Sequence, residues 1–237
     1  PKIFADLALR VPQVLGPDAA ILKAAALLLL VVFGFKAALA PLSLWLPATY
    51  AAASPPVAAL FAIMTKVGVY AILRVHGVVF GDFTPAGPGD SAALVAQPVL
   101  LPLALAGSVV AVLGALASHT LARLVAWLTV ASVGTILAAL GLYGPAAWSA
   151  GLYYLLNSTL VVAGLFLLAE LVGAQRGDAG GRLEPASAVA QPVLLGLLLL
   201  LAAASAAGLP PLPGFIGKVM LLQAAWGQGA SVALWVV

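Results

Sequence analysis

The sequence predicts an all-α, polytopic membrane protein, and three observations carry that prediction. Hydrophobic residues make up 64% of the chain and charged residues 7%, against roughly 25% charged in soluble domains. Apolar runs of about 20 residues recur, the length a helix needs to cross about 30 Å of hydrocarbon. No sustained strand-like alternation is present, which argues against an outer-membrane barrel.

Taken in order, residues 1–18 (PKIFADLALRVPQVLGPD) read as an extramembrane loop and residues 19–237 as a single transmembrane helical domain. Six spans are predicted at roughly 19–46, 55–80, 97–117, 121–142, 145–172 and 188–226, with a seventh beginning near 230. The longer connectors, 81–97 and 173–188, are rich in Gly, Pro and charge. The chain starts at Pro1 without methionine and ends in an apolar WVV, so it is expected to be a fragment truncated at both ends. No signal peptide is visible.

If each candidate crosses once, one side receives Arg123, Arg176 and Arg182. The other receives Lys2 and Arg10, with Arg74 and His76 near a helix end. Cytoplasmic loops carry an excess of Lys and Arg. The balance leans toward the first set being cytoplasmic and the N-terminal stretch outside, although Lys2 and Arg10 oppose it.

The two end segments are too long for one crossing. Residues 19–46 would extend about 42 Å as a helix and 188–226 about 58 Å. Both contain breaks: KAALAPLSLWLP holds Pro41 and Pro47, and GLPPLPGFIGK holds Pro210, Pro211 and Pro213. Proline removes an N–H and clashes with the preceding turn. The freed backbone groups must be buried in protein or line a wet cavity. A pair of interrupted segments in the two halves of a chain points to a transport site.

Lysines accompany both breaks. Lys36 lies five residues before Pro41, and Lys218 lies five residues after Pro213. Lys66 falls about 17 Å into the second span, near the bilayer centre. Snorkelling explains Lys23 at a span start and stays open for Lys36 and Lys218; depth argues against it for Lys66. Burial disfavours the charged form of an amine, so a lysine in such a place can load and release a proton. Intramembrane cations usually have a partner. Yet the only carboxylate inside an apolar span is Glu170, close to its end. The missing anion is expected on an absent segment or on another protein of a complex.

Other polar residues fall in helical register. Lys66, Tyr70 and Arg74 are four apart, as are Tyr153 with Asn157 and Tyr154 with Ser158. Tyr70, Asn157 and Ser158 are therefore candidates for a polar path. Thr129, Ser132 and Thr135 form a stripe that serves equally as helix–helix glue or as a water-lined route. His119, at a span edge, reads as interfacial.

Several chemistries are set aside. Cysteine is absent, which removes disulfides and thiol chemistry. Two His and seven Asp/Glu are too few for a convincing metal cluster, and no cofactor is implied. A net charge of +3 from scattered residues gives no nucleic-acid footprint. With no nucleophile–base pair and no phosphate loop, the chain reads as non-enzymatic by itself.

The stretch FGFKAALAPLSLWLPATYAAASPPVAALFAIMTKVGVYAILR resembles a signature region of the antiporter-like membrane subunits. These occur in Mrp-type multisubunit cation/proton antiporters and in respiratory complex I. GLYYLLNSTLVVAGLFLLAELV and SAAGLPPLPGFIGKVMLLQAA look most like the D-type members of the Mrp antiporters. The resemblance implies a fragment of an antiporter-like helical bundle with two discontinuous helices and two inverted five-helix repeats. It implies that Lys36 matches the lysine of the broken seventh helix, Lys66 that of the eighth, and Lys218 the charged position of the broken twelfth. The family's fifth-helix glutamate would lie upstream of Pro1. Where the family usually has histidine, this chain has Asn157, which cannot titrate.

The function so implied is exchange of protons for monovalent cations (Na+/H+ or K+/H+) along an axis of Lys36, Lys66 and Lys218. The expected partners are other membrane subunits of a hetero-oligomer, the lipid bilayer, protons and monovalent cations, in the cell inner (plasma) membrane. The alternatives are a proton-pumping subunit of complex I or a membrane-bound hydrogenase, and a structural scaffold with vestigial lysines.

Overall fold

The structure, a computed structural model, describes residues 2–81, 91–185, 189–230 and 236. Among them run nine α-helices: α1 (Lys2–Arg10), α2 (Pro17–Ala37), α3 (Trp45–Ala52), α4 (Pro55–Ile72), α5 (Gln97–Leu116), α6 (Leu121–Gly141), α7 (Pro145–Gln175), α8 (Pro192–Ala207) and α9 (Pro213–Gly227). A π-helix, Leu73–Val79, continues α4. Six of these helices place a proline at their first or second position. There its missing N–H would have had no intrahelical partner. The prolines thus set where helices begin.

Five helices are long and apolar enough to cross a membrane: α2, α4 with its π-helical extension, α5, α6 and α7. The bounds of the last four lie within a few residues of the expected spans, whereas α2 ends at Ala37, short of the expected 46. The two end segments divide as the breaks predict, into α2 with α3 and α8 with α9. Pro47 corrects the expectation that it interrupts a helix. It occupies the first turn of α3, where no N–H is needed. Pro213 likewise opens α9 rather than sitting in the break, which is left to Pro210 and Pro211. The seventh segment expected near 230 lies largely outside the described residues.

Residues Lys2–Arg10, expected as loop, form a helix instead. Its apolar residues cluster on one side, and Phe4 lies under the Arg74 guanidinium at 5.0 Å, a cation–π contact. Asp6 and Arg10 pair across one turn at 2.9 Å.

Helix α6 is the axis of the bundle, buried along most of its length and packed against α3, α4, α5 and α7. In a bilayer such contacts rest on close packing and interhelical hydrogen bonds rather than on removal from water. One apolar cluster gathers Leu100, Ile136, Leu137 and Tyr154; another gathers Leu46, Val125 and Phe166. At the end carrying Arg123, the loop after α7 clasps the α5–α6 turn. Leu121 N–H donates to Gly181 C=O at 2.8 Å and Leu183 N–H to His119 C=O at 2.9 Å. This brings Arg176 and Arg182 to the same end as His119, which is exposed.

Candidate functional site

The two breaks are built alike. Helix α2 ends with Ala38 in the left-handed region (φ 60°), and Leu39 N–H donates to Gly34 C=O at 2.8 Å. Helix α8 ends with Gly208 in the same region (φ 81°), and Leu209 N–H donates to Ala204 C=O at 2.9 Å. Each is the six-to-one bond of a Schellman cap, with leucine after the left-handed residue and proline soon following. A cis X–Pro peptide lies in each break, at Ala40–Pro41 and Pro210–Pro211.

Close approaches pack the first break against α4 and the two halves of the second break against each other. Helix α4 reaches the first break at Gly68, where a Cβ would lie 2.7 Å from Ala37 N and 3.0 Å from Lys36 C. In the second break a Cβ on Gly214 would overlap Ser205 O. Tyr50 ties α3 to α4 by donating to Phe61 C=O at 2.7 Å and sharing a hydrogen bond with Thr65. That contact fixes the turn of α4 carrying Lys66.

The three lysines occupy different surroundings. Lys66 is 3% exposed, and its Nζ donates to Ser132 Oγ on α6 at 2.5 Å. Ser132 in turn donates to Thr129 C=O at 2.7 Å. Lys218 is half-buried on α9, its stem folded over the end of α8, so that a Cβ on Gly208 would meet Lys218 Cδ at 2.8 Å. Lys36 sits in the last turn of α2 and is exposed. Lys36 and Lys218 thereby both lie beside the C-terminal end of a half-helix, where the backbone dipole favours a cation.

A cavity of about 290 Å³, walled largely by apolar side chains such as Val112, Leu128 and Val161, is lined by Lys218 and by Ser132, the partner of Lys66. Ser132 and Thr135 line it from α6, Asn157 and Ser158 from α7, Ser108 from α5, and Lys218 from α9. Asn157 Oδ1 accepts from Ser205 Oγ at 3.3 Å. Its Nδ2 is buried and has no partner among the described residues. No carboxylate lines the cavity among the described residues, and Glu170 is exposed. No group of three or more His, Asp or Glu that could hold a metal occurs among them either.

The structure thus places Lys218, Asn157 and Ser158 in the lining of one cavity, joins Lys66 to it only through Ser132, and leaves two predicted residues outside it. Tyr70 is 51% exposed on the outer face of α4. Four residues advance a helix by about 400°, so the register drifts by about 40° per step, and Lys66 and Tyr70 face different surroundings. Lys36 is separated from the cavity by its exposed position. In sequence, Ser132 belongs only to a stripe of undecided role; its bond to Lys66 shows the α6 stripe facing α4. Gly68 and Gly214, the contacts that hold the breaks, carry no sequence signal that sets them apart from other glycines.

Two discontinuous helices, set among five apolar helices long enough to cross a bilayer, define a multi-pass α-helical membrane protein of the broken-helix type. The transmembrane family model described as NADH:quinone oxidoreductase/Mrp antiporter matches residues 7–237, and the chain belongs to that family. It is 37% identical to the D subunit of a probable K(+)/H(+) antiporter of Rhizobium meliloti (strain 1021), over 96% of this chain and 45% of that protein. It is 32% identical to the D subunit of the Na(+)/H(+) antiporter of Bacillus subtilis (strain 168), over 95% of this chain and 44% of that protein. Its fold matches a chain in the structure of the Mrp complex from Dietzia sp. DQ12-45-1b with a TM-score of 0.73 and 31% identity, covering 90% of this chain and 39% of that one. The chain spans less than half the length of each of these relatives.

Proposed function

We propose that this chain carries a proton-translocating core of a subunit in a multisubunit monovalent cation/proton antiporter of the plasma membrane. The observation that carries the reading is the buried Lys66–Ser132 hydrogen bond, which opens onto the cavity lined by Lys218. A proton leaving Lys66 passes to water ordered by the hydroxyls of Ser132 and Thr135, and from there to Lys218. Asn157 holds that water through its unpartnered Nδ2 and takes no proton itself, because a carboxamide does not titrate. Lys36, exposed on α2, is the group for an anion supplied by another segment or another protein of the complex. The relatives' names, a potassium/proton and a sodium/proton antiporter, support exchange for one of these two cations.

The test is the complete complex reconstituted in vesicles with Lys66→Ala. Cation-driven proton flux is expected to fall to background with the complex still assembled. Undiminished flux would falsify the assignment. The family also includes NADH:quinone oxidoreductase, which favours a second reading as a redox-driven proton pump. Flux that appears only with an electron donor, and never with a cation gradient, supports that reading instead.

A further inference from the structure

The transport reading does not use His76, which is 1% exposed in the middle of the π-helix that extends α4. Both of its ring nitrogens are buried and have no partner among the described residues. The ring is enclosed by Leu100 of α5, Leu140 of α6, Tyr143 of the α6–α7 turn and Trp148 of α7, with Ile72 and Leu73 on its own helix. Phe80 stacks on it at 5.9 Å between centroids. Tyr143 is the one titratable group among these neighbours, and none of them is charged. Its hydroxyl donates to the His76 carbonyl at 3.3 Å, and burial pushes that hydroxyl up to about 12, so it stays a donor.

As core filler this residue is poor. A leucine or phenylalanine would occupy the same space without stranding two polar atoms, and buried polar groups without partners are rare in folded proteins. Beyond Tyr143 and Trp148, however, lies an open pocket of about 260 Å³, lined also by Gly77, Leu94 and Gly144. Gly77, Tyr143 and Trp148 border both spaces. The Trp148 ring lies close enough to Gly77 that a Cβ there would sit 3.2 Å from two of its atoms. The rings of Tyr143 and Trp148 meet edge-on at 6.1 Å. They form a two-ring partition between the pocket and an imidazole whose nitrogens have no hydrogen-bond partner among the described residues. π-Helical segments of this kind are frequent at functional sites.

We propose that His76 is a proton-binding site at the blind end of this pocket, reached by water when Tyr143 and Trp148 part. Protonation gives the ring two N–H donors, which hold water in the opened passage. Release of the proton lets the apolar walls close. His76 lies ten residues beyond Lys66, about 15 Å along the helix, with buried Val69 and Ile72 between. It therefore serves the entry or exit of protons, and that role rests on the transport reading above.

Water access is tested without transport, because the chain has no cysteine. His76→Cys, in the assembled complex with any partner thiols removed, is expected to react with a water-soluble thiosulfonate. The reaction should run several-fold faster when Trp148→Ala is added. A thiol inert in both backgrounds overturns the passage. In reconstituted complex, His76→Phe is expected to shift the pH profile of flux while the complex assembles normally; an unchanged profile overturns the proton site. If the wild type shows no cation-coupled flux, the transport reading falls, and the labelling result still decides the passage.

Discussion

Lys66 concentrates the physical tension of the molecule in one side chain. It is a buried amine held by Ser132, with no carboxylate among the described residues of the cavity that Ser132 faces. Removing such a group from water is unfavourable unless it is compensated, and replacing buried ionic groups by apolar ones of similar size is often neutral or stabilising. Lys66→Met is therefore expected to assemble and to resist heat at least as well as the wild type while losing flux. Thermal unfolding followed beside transport checks both halves. A stable and fully active Lys66→Met would leave the lysine without a role, and a collapsed one would make it structural. The sequence alone shows that this lysine is too deep to snorkel. It does not show the acceptor, because a serine 66 positions away cannot be paired with a lysine by periodicity.

At the scale of the element, the broken helices depend on contacts that only glycine permits. Gly214 touches Ser205 O so closely that an added Cβ would overlap it. Gly214→Ala must therefore push α9 off the end of α8, and it is expected to destabilise the protein by at least about 3 kcal/mol, the upper range for overpacking. The readout is the unfolding midpoint of the purified complex together with flux, and an unaltered midpoint would contradict the packing. The breaks are legible from Pro41, Pro210 and Pro211, and the spans from their length and hydropathy. The matching caps are not. Gly208 announces a left-handed residue, but Ala38 adopts the same conformation without the signal that glycine gives. Helix α1 is hidden because nine residues are too few to stand out against a loop, and Arg74 over Phe4 is a contact no sequence spacing reveals.

For the whole molecule, the sequence shows a multi-pass bundle with two interrupted helices, and the structure adds which groups share a space. Lys66 lies about 17 Å from the start of α4, Ser132 about 17 Å from the start of α6, and Asn157 about 18 Å from the start of α7, at 1.5 Å per residue. Because α7 starts where α6 ends, its count runs from the opposite end, and in a bilayer of about 30 Å all three groups fall near the middle. In the proposed transfer toward Lys218, which lines the same cavity as Ser132 and Asn157, a proton therefore travels largely sideways. Carrying one elementary charge down the full membrane potential involves about 2.3 kcal/mol per 100 mV. A sideways transfer takes almost none of it. Narrowing that transfer with Asn157→Leu is expected to lower flux by the same factor at every imposed voltage, measured with potassium diffusion potentials. A loss that deepens with voltage would mean the cavity is not level. On the proposed transport reading, the electrical work of the cycle falls on the routes between mid-membrane and either surface, and the cavity serves as an equipotential wire between them.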